Sequence, residues 1–478
     1  LTGIAATNWI TNNVTANSGT TTVDLSDGNV VKFTQSANTT VSFANTGTSN
    51  IVTFIRPGAN YTVTWPSAIK WDGGSAPPLA TKSVDDDVFT LLTRDEGVTW
   101  YGWETLTIDK KANRLFTWGR NNNYGQLGLN DIVNRSSPTQ IYGNGTTWST
   151  LSEGGGTVDT FDNAIKTDGT LWSWGYNNFG ELGHNSRTWR SSPTQIPGTT
   201  WAHTVIDSAG FTLATKTDGT LWAWGRNDWG TLGQNTAGAN SRYSSPVQIP
   251  GTSWATGDNK ISAGYWVSAA LRTNGTLWTW GYNYNGPLGH NDRISKSSPT
   301  QIPGTWTSIS GAYWSMSGIK SGNTLWVWGW NAAGKLGINS NLGSVSSPTQ
   351  IPGTTWRSSA MVMNSMIATK TDGTLWTWGQ NSYGQLGHNS VASPANAGIS
   401  SPIQIPGTNW DSTVAGGMDN MFATKTDGTV WTWGYNLHGQ LGQNNRTQYS
   451  SPVQLPGYWG EIVQISARRE SVTAIGSI

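Results

Sequence analysis

One repeated motif limits the fold of this chain more than any other feature. The pair Trp-Gly recurs at Trp118, Trp174, Trp224, Trp280, Trp328, Trp378 and Trp433, at steps of 56, 50, 56, 48, 50 and 55 residues. Self-similarity near that period marks a propeller or a solenoid. The copy TNGTLWTWGYNYNGPLGHNDRISKSSPTQIP, residues 273–303, carries all the parts. Leu277 to Trp280 are bulky or β-branched and suit a pleated surface. Asn274-Gly275 precedes them, with Asp168-Gly169, Asp218-Gly219, Asp372-Gly373 and Asp427-Gly428 in equivalent places. Such dipeptides favour two-residue hairpin turns. A long polar loop follows, then a short SSPxQ strand with Pro at its start, where a missing N–H is tolerated. In most copies a Trp comes after Pro-Gly-Thr: Trp201, Trp254, Trp306, Trp356 and Trp410.

Each repeat therefore reads as four short strands, A (261–264), B (267–273), C (277–281) and D (299–302) in this copy. Seven such repeats predict an all-β, seven-bladed propeller. The first copy, Leu115 to Ile141, has C and D only, and Ile462 to Ile478 has A and B only. Pairing of 463–466 and 471–476 with Leu115–Gly119 completes one blade and removes the open edges.

The pattern WGxNxxGxLGxN preceded by DGxLW resembles the regulator-of-chromosome-condensation repeat family, from about residue 113 to the C-terminus. That resemblance implies the seven-bladed fold. Its members include a nuclear guanine-nucleotide exchange factor, enzyme inhibitors and other interaction proteins, so fold alone does not select a function. The family commonly has a His in the loop after strand A. Here that loop holds Tyr265-Trp266, Tyr313-Trp314 or Met418-Asp419, which weakens any transfer of exchange activity.

Residues 1–107 lack the repeat and still read as β. Thr21–Leu25, Asp27-Gly28 and Val30–Phe33 predict a hairpin. Thr40–Phe43, Ile51–Ile55 and Tyr61–Trp65 follow at turn-separated intervals, and 88–104 predicts another hairpin. The expected module is a small sandwich-like β-domain joined by a polar linker, 108–113, to a propeller spanning 114–478. Thr40–Phe43, Tyr61–Trp71 with Gly73-Gly74, and Val84–Trp103 resemble modules of tailed-bacteriophage tail fibres. This resemblance implies a virion protein on the particle surface. Its partners would be a host receptor (glycan or protein) and other virion proteins, with homo-oligomers formed through the N-terminal module. The alternatives are a capsid-surface decoration protein and a cellular interaction propeller of inhibitor or exchange-factor type.

Composition excludes several chemistries. With 28 basic and 27 acidic residues there is no basic stripe for nucleic acid. No apolar run suits membrane insertion. Cys is absent, which removes thiol catalysis and thiolate metal sites. His184, His290 and His388 share one repeat position that is Leu, Gln or Ile elsewhere, so they read as surface-turn residues. His203 and His438 have no ligand-spaced neighbours. Asp85-Asp86-Asp87 reads as a solvated turn, because consecutive carboxylates lack the alternating spacing of a calcium loop. Glu occurs six times, too sparsely to propose a carboxylate pair. No enzyme, cofactor or metal is expected.

The Trp residues at repeated positions, such as Trp172 and Trp174, are expected in the core, and those that break the repeat are the informative ones. Up-and-down strand order places the A–B and C–D loops on one face and the Asp-Gly turns on the other. The C–D loops vary in length, from 184–193 to 388–402. Varied loops on a rigid scaffold are the usual place for recognition. The residue after each Trp-Gly gives a ring: Arg120, Tyr176, Arg226, Tyr282, Trp330, Gln380 and Tyr435. Phe211, Tyr265, Trp266, Tyr313 and Trp314 are expected nearer the axis, and Trp189 and Trp229 extend the face. Tyr, Trp and Arg are the types enriched at binding hot spots. Because the chain enters the propeller on the Asp-Gly side, the N-terminal module is expected opposite this ring.

Overall fold

A computed structural model describes residues 11–477 other than 17, 27–29, 47–49, 58–60, 72–75, 77–84, 110–112, 122–123, 142–146, 153–160, 208, 342, 392–397 and 457–460. The chain divides into two compact units, Leu1–Ala112 and Asn113–Ile478.

The second unit is seven four-stranded antiparallel sheets. Blade 1 combines Glu461–Ala467 and Ser471–Ser477 with Arg114–Gly119 and Arg135–Gln140. Leu115 stands opposite Ile475 and Trp118 opposite Val472, so the two chain segments close the circle as the half-repeats require. Blades 2 to 7 follow in chain order, their innermost strands beginning at Trp148, Trp201, Ile261, Trp306, Trp356 and Trp410. Those strands line an axial channel bordered by Ser262, Ser310, Ser358 and Ser466.

The repeated residues turn out to be joints between blades. Each Trp of Trp-Gly donates its indole N–H to a carbonyl of the preceding blade's C–D loop, at 2.8–3.0 Å. Trp118 closes the ring onto Gln440. A second ring comes from the Asn two residues after each Leu-Gly, which sits at φ 54–59°. There the backbone N–H donates to a Ser carbonyl of the next blade's outer strand, at 2.7–2.8 Å, from Asn130–Ser191 round to Asn444–Ser136. Asn tolerates that left-handed backbone better than most residues. The Asn of Trp-Gly-x-Asn pins the loop from inside: Asn227 donates to Thr236 O at 3.0 Å and accepts from Leu232 N at 2.9 Å. Gly289 is needed because a Cβ there would stand 2.9 Å from the Trp328 indole nitrogen.

Closure is also locked by charge. Arg468 in the blade 1 A–B loop donates to both carboxylate oxygens of Asp162 in blade 2, at 2.6 and 2.7 Å. Thr473 and Ser152 donate to the same carboxylate, and both charged side chains are almost fully buried. A buried pair survives only when its remaining lone pairs are satisfied in this way.

Strand D differs from the expectation. In blade 4 it runs Lys296–Ile302, so Pro299 lies inside it rather than at its start. D is the outer edge strand, where an absent N–H breaks no ladder bond. The first Trp of each Leu-Trp pair is half-buried rather than core. Trp172 packs with Trp148 around the Lys166 ammonium, which lies 4.3 and 5.1 Å from the two ring centres. The same sandwich recurs around Lys216, Arg272, Lys320, Lys370 and Lys425.

The first unit has two sheets about one core of Val23, Val31, Phe33, Val41, Phe54, Phe89 and Trp100 among others. The expected hairpin at 21–33 does not form. Gly19–Asp24 pairs in parallel with Thr39–Ala44, whereas Val30–Gln35 pairs in parallel with Thr11–Ala16 in the other sheet. The described strands up to Ile69–Trp71 alternate between the sheets, so Val23 and Val31 bury against the core from opposite sides. Asp27-Gly28 itself lies outside the described residues. The C-terminal hairpin does form, from Asp85–Thr93 and Trp100–Asp109. Asp85-Asp86-Asp87 is therefore strand rather than turn, with Asp85 opposite Asp109. The partner strand, Trp100–Asp109, takes up Ile108 and Asp109 of the expected linker; 110–112 lie outside the described residues.

Candidate interaction face

The Gly after each Trp brings two loops together. Gly281 has φ 106°, and a Cβ there would meet Trp266 O at 2.3 Å. Tyr282 N donates to that same carbonyl at 2.9 Å, which sets Tyr282 beside the A–B loop. Trp266 and Tyr313 in those loops have φ 63° and 53°, a strained region for aromatic residues. The result is a continuous aromatic shelf across blades 3, 4 and 5. Trp229 lies 5.2 Å from Tyr282, 5.3 Å from Tyr284 and 5.9 Å from Trp266. Tyr282 stacks on Trp314 at 5.7 Å, and Tyr265, Tyr313 and Trp330 continue the chain of contacts at 5.4 and 5.5 Å. Tyr282 is buried beneath the shelf, whereas Tyr284 is 55% exposed.

A smaller patch sits on blades 1 and 2. Tyr124 contacts Tyr176 at 4.8 Å and Trp189 at 4.6 Å, and Asn178 bridges Tyr176 Oη and Trp189 Nε1. Trp189 is 43% exposed. Phe179 links this patch to the shelf: Tyr176 lies 6.3 Å from it, and Arg226 lies over Phe179 at 4.6 Å and near Trp266 at 5.6 Å. On blades 6 and 7, Tyr383 meets Tyr435 at 4.9 Å. Arg120 is engaged by buried Glu470 at 2.5 Å. Gln380 is tied to Ser382 and joins no ring contact among the described residues.

Two expectations need correction. Phe211 is fully buried and belongs to the core, because strand B starts on it and its partner is Gly225. His184, His290 and His388 are half-buried struts rather than surface-turn residues. Each Nε2 lies 3.0 Å from a strand C hydroxyl, on Ser173, Thr279 or Thr377, and burial lowers each imidazole pKa. The contrast between short and long C–D loops falls partly outside the described residues, at 392–397.

The face also contains rings the expectation missed: Tyr284 in the shelf, Tyr124 and Phe179 beside it, and Tyr383 on blade 6. Three of these precede the Gly of GxLG, as Trp229 and His438 do, so that slot alone signalled them. The slot after GxLG's first Gly carries buried ionisable groups. Burial pushes Glu181 up to about 8; its Oε2 accepts from Phe179 N at 2.7 Å. Burial pulls Lys335 down to about 7; its Nζ donates to Met363 O at 2.8 Å beneath Trp330. The slot's Gln385 donates from Nε2 to Asp419 of the blade 7 A–B loop, which burial pushes up to about 6. Among the described residues no group of three His, Cys, Asp or Glu is placed to hold a metal. No described helix is long and apolar enough to cross a membrane.

A closed propeller with invariant joints and a varied loop face defines a class of scaffold rather than a chemistry. Residues 114–474 match the RCC1-like domain family, and the chain belongs to it. It is 27% identical over 200 residues to the ultraviolet-B receptor UVR8 of Arabidopsis thaliana, covering 39% of this chain and 41% of UVR8. It is 26% identical over 201 residues to the probable E3 ubiquitin-protein ligase HERC4 of Homo sapiens, covering 41% of this chain and 18% of HERC4. The matches thus span well under two thirds of those relatives. Human WBSCR16 superposes with a TM-score of 0.65 at 18% identity, over 77% of this chain and 99% of that one. Prp20p of Saccharomyces cerevisiae does so at 0.65 and 18%, over 76% and 91%. These likenesses concern the fold.

Proposed function

We propose that this protein is a non-catalytic interaction propeller that binds a protein partner through the aromatic A–B and C–D loop face. One observation carries the reading. The repeated positions are consumed by joints between blades, whereas rings at the unrepeated positions gather into one shelf that leaves Trp229 and Tyr284 accessible. Rigid aromatic side chains on a preorganised support lose little entropy on binding. The family relatives favour a cellular interaction protein, and solved propellers of this fold include one, Prp20p, described by its binding to Gsp1p and histones. Attachment of a virus particle to its host would use the same face, and the resemblance of the N-terminal module alone favours it.

The test places a photo-crosslinking amino acid at Tyr284, or at exposed Thr167 on the Asp-Gly face, and irradiates in the source cells. A discrete adduct from position 284 and none from 167 is expected. Adducts from 167 alone would overturn the assignment.

A further inference from the structure

A basic notch borders the shelf, and its chemistry specifies the partner, given that this face binds a protein. Arg226 Nε lies 2.5 Å from Asp228 Oδ2, and Arg242 donates to Asp228 Oδ1 from Nη2 at 2.7 Å and from Nε at 3.2 Å. Two guanidiniums thus share one carboxylate. Burial would raise the Asp228 pKa, but the hydrogen bonds from Arg242 and Arg226 outweigh it and hold the group ionised. Glu181, packed nearby under Phe179, keeps its proton near neutrality and does not offset the surplus positive charge. Both arginines stack on Phe179, at 4.6 and 4.8 Å, which fixes their planes. Neither terminal nitrogen of Arg226, nor Nη1 of Arg242, has an acceptor among the described residues, and the side chains remain 26% and 20% exposed. Guanidinium donors left over in a fixed plane match a carboxylate. Arg226 lies 5.6 Å from the Trp266 ring, which is 5.9 Å from Trp229, so the notch adjoins the shelf.

We infer that the notch takes a partner carboxylate, an Asp or Glu side chain in a peptide segment whose neighbouring aromatic or large aliphatic residue lies on Trp229 and Tyr284. The ligand's carboxylate takes the donors that Asp228 leaves over, and the ionised Asp228 beside it repels it and offsets the arginine charge. Removing the Asp228 charge should therefore tighten binding, an effect that mere loss of packing cannot produce.

The experiment selects displayed random dodecapeptides on the whole 478-residue chain and measures the winners by fluorescence polarisation. Enrichment of an acidic residue beside Trp, Phe or Leu is expected. Binding should weaken about tenfold in Arg226→Gln/Arg242→Gln, equivalent to one lost charge-assisted bond. Arg226→Lys/Arg242→Lys should recover part of it. Asp228→Asn should tighten it severalfold, and added salt should weaken it. The inference is overturned if no peptide is enriched, if Gln replaces the peptide's Glu without loss, or if Asp228→Asn weakens binding while the protein keeps its melting curve. Acidic peptides that still bind Trp229→Ala/Tyr284→Ala at full strength would instead sink the aromatic-face reading and leave the notch standing.

Discussion

The two faces of the propeller are built from the same repeat and differ in what the repeat leaves free. On the Asp-Gly face six blades carry one device. A Lys or Arg lies between two Trp rings, and a Thr hydroxyl accepts from the first Trp of strand C; in each of these blades except blade 5 an Asp or Asn side chain in turn accepts from that hydroxyl. In blade 2, Asp168 Oδ1 accepts from Thr170 Oγ1 at 2.7 Å, and Thr170 Oγ1 accepts from Trp172 Nε1 at 2.9 Å. Blades 3, 6 and 7 repeat this at Asp218, Asp372 and Asp427. Every polar atom in that relay is engaged by its own blade. On the opposite face the repeated Asn, Leu and Gly fix the loop backbone, and the side chains between them differ from blade to blade. Repetition marks architecture here, and departure from it marks the face proposed to meet a partner.

The comparison can be broken first at the joints, where the largest effects are expected. Deleting Ile462 to Ile478 removes the two inner strands of blade 1 and leaves the inner edge of Leu115–Gly119 unpaired; cooperative thermal unfolding should be lost or its midpoint fall steeply. Trp280→Ala removes a buried ring and its bond to Thr231 O, at a cost of roughly 3–5 kcal/mol by denaturant titration. Arg468→Met strands the Asp162 carboxylate and should cost a similar ~3–5 kcal/mol. A cost below ~1 kcal/mol for either would show that blade contacts do not carry stability as described.

Glu181→Gln sharpens the contrast between the joint slot and its neighbours, since Gln fills that slot at Gln126, Gln385 and Gln440. The folded carboxyl is pushed up to about 8, above the ~4.3 of an unfolded chain. Between those values the unfolded state releases a proton that the folded state keeps, so wild-type stability falls as pH rises. The variant should gain nothing at pH 4 and roughly 3–5 kcal/mol near pH 9. A gain independent of pH would mean that the buried carboxyl is not the cause. The smallest effect is expected on the Asp-Gly face. Lys216→Met empties one Trp–cation–Trp sandwich and should cost about 1 kcal/mol, less in high salt.

Blade number, strand order and closure were legible because a propeller repeats its local signals, and Trp-Gly, Asp-Gly and the half-repeats mark every boundary. The N-terminal unit was legible as β and as two layers, but not in its pairing. Parallel partners such as Thr21 and Val41 lie 20 residues apart and leave no turn signature between them, whereas Asp27-Gly28 offers a misleading one. On the proposed face, composition pointed to loops that carry the exposed rings and missed by small register errors. Phe211 was read as loop although strand B begins on it, and Phe179 was overlooked in the slot that Trp229 occupies. Which rings end up exposed depends on packing: Trp266 and Trp314 are half-buried with enclosed indole nitrogens, whereas Tyr284, unremarked in the sequence, is more than half exposed.

The division between the faces is tested most directly by two matched triple variants. Trp189→Ala/Trp229→Ala/Tyr284→Ala alters the varied face, and Lys216→Ala/Lys320→Ala/Lys370→Ala alters the repeated one. Partner retained from a source-cell extract is quantified by mass spectrometry beside each melting curve. The first variant should lose the partner with its melting midpoint nearly unchanged. The second should keep the partner and melt earlier. Full retention by a folded first variant, or loss of the partner by a folded second one, would contradict the assignment of binding to the aromatic face.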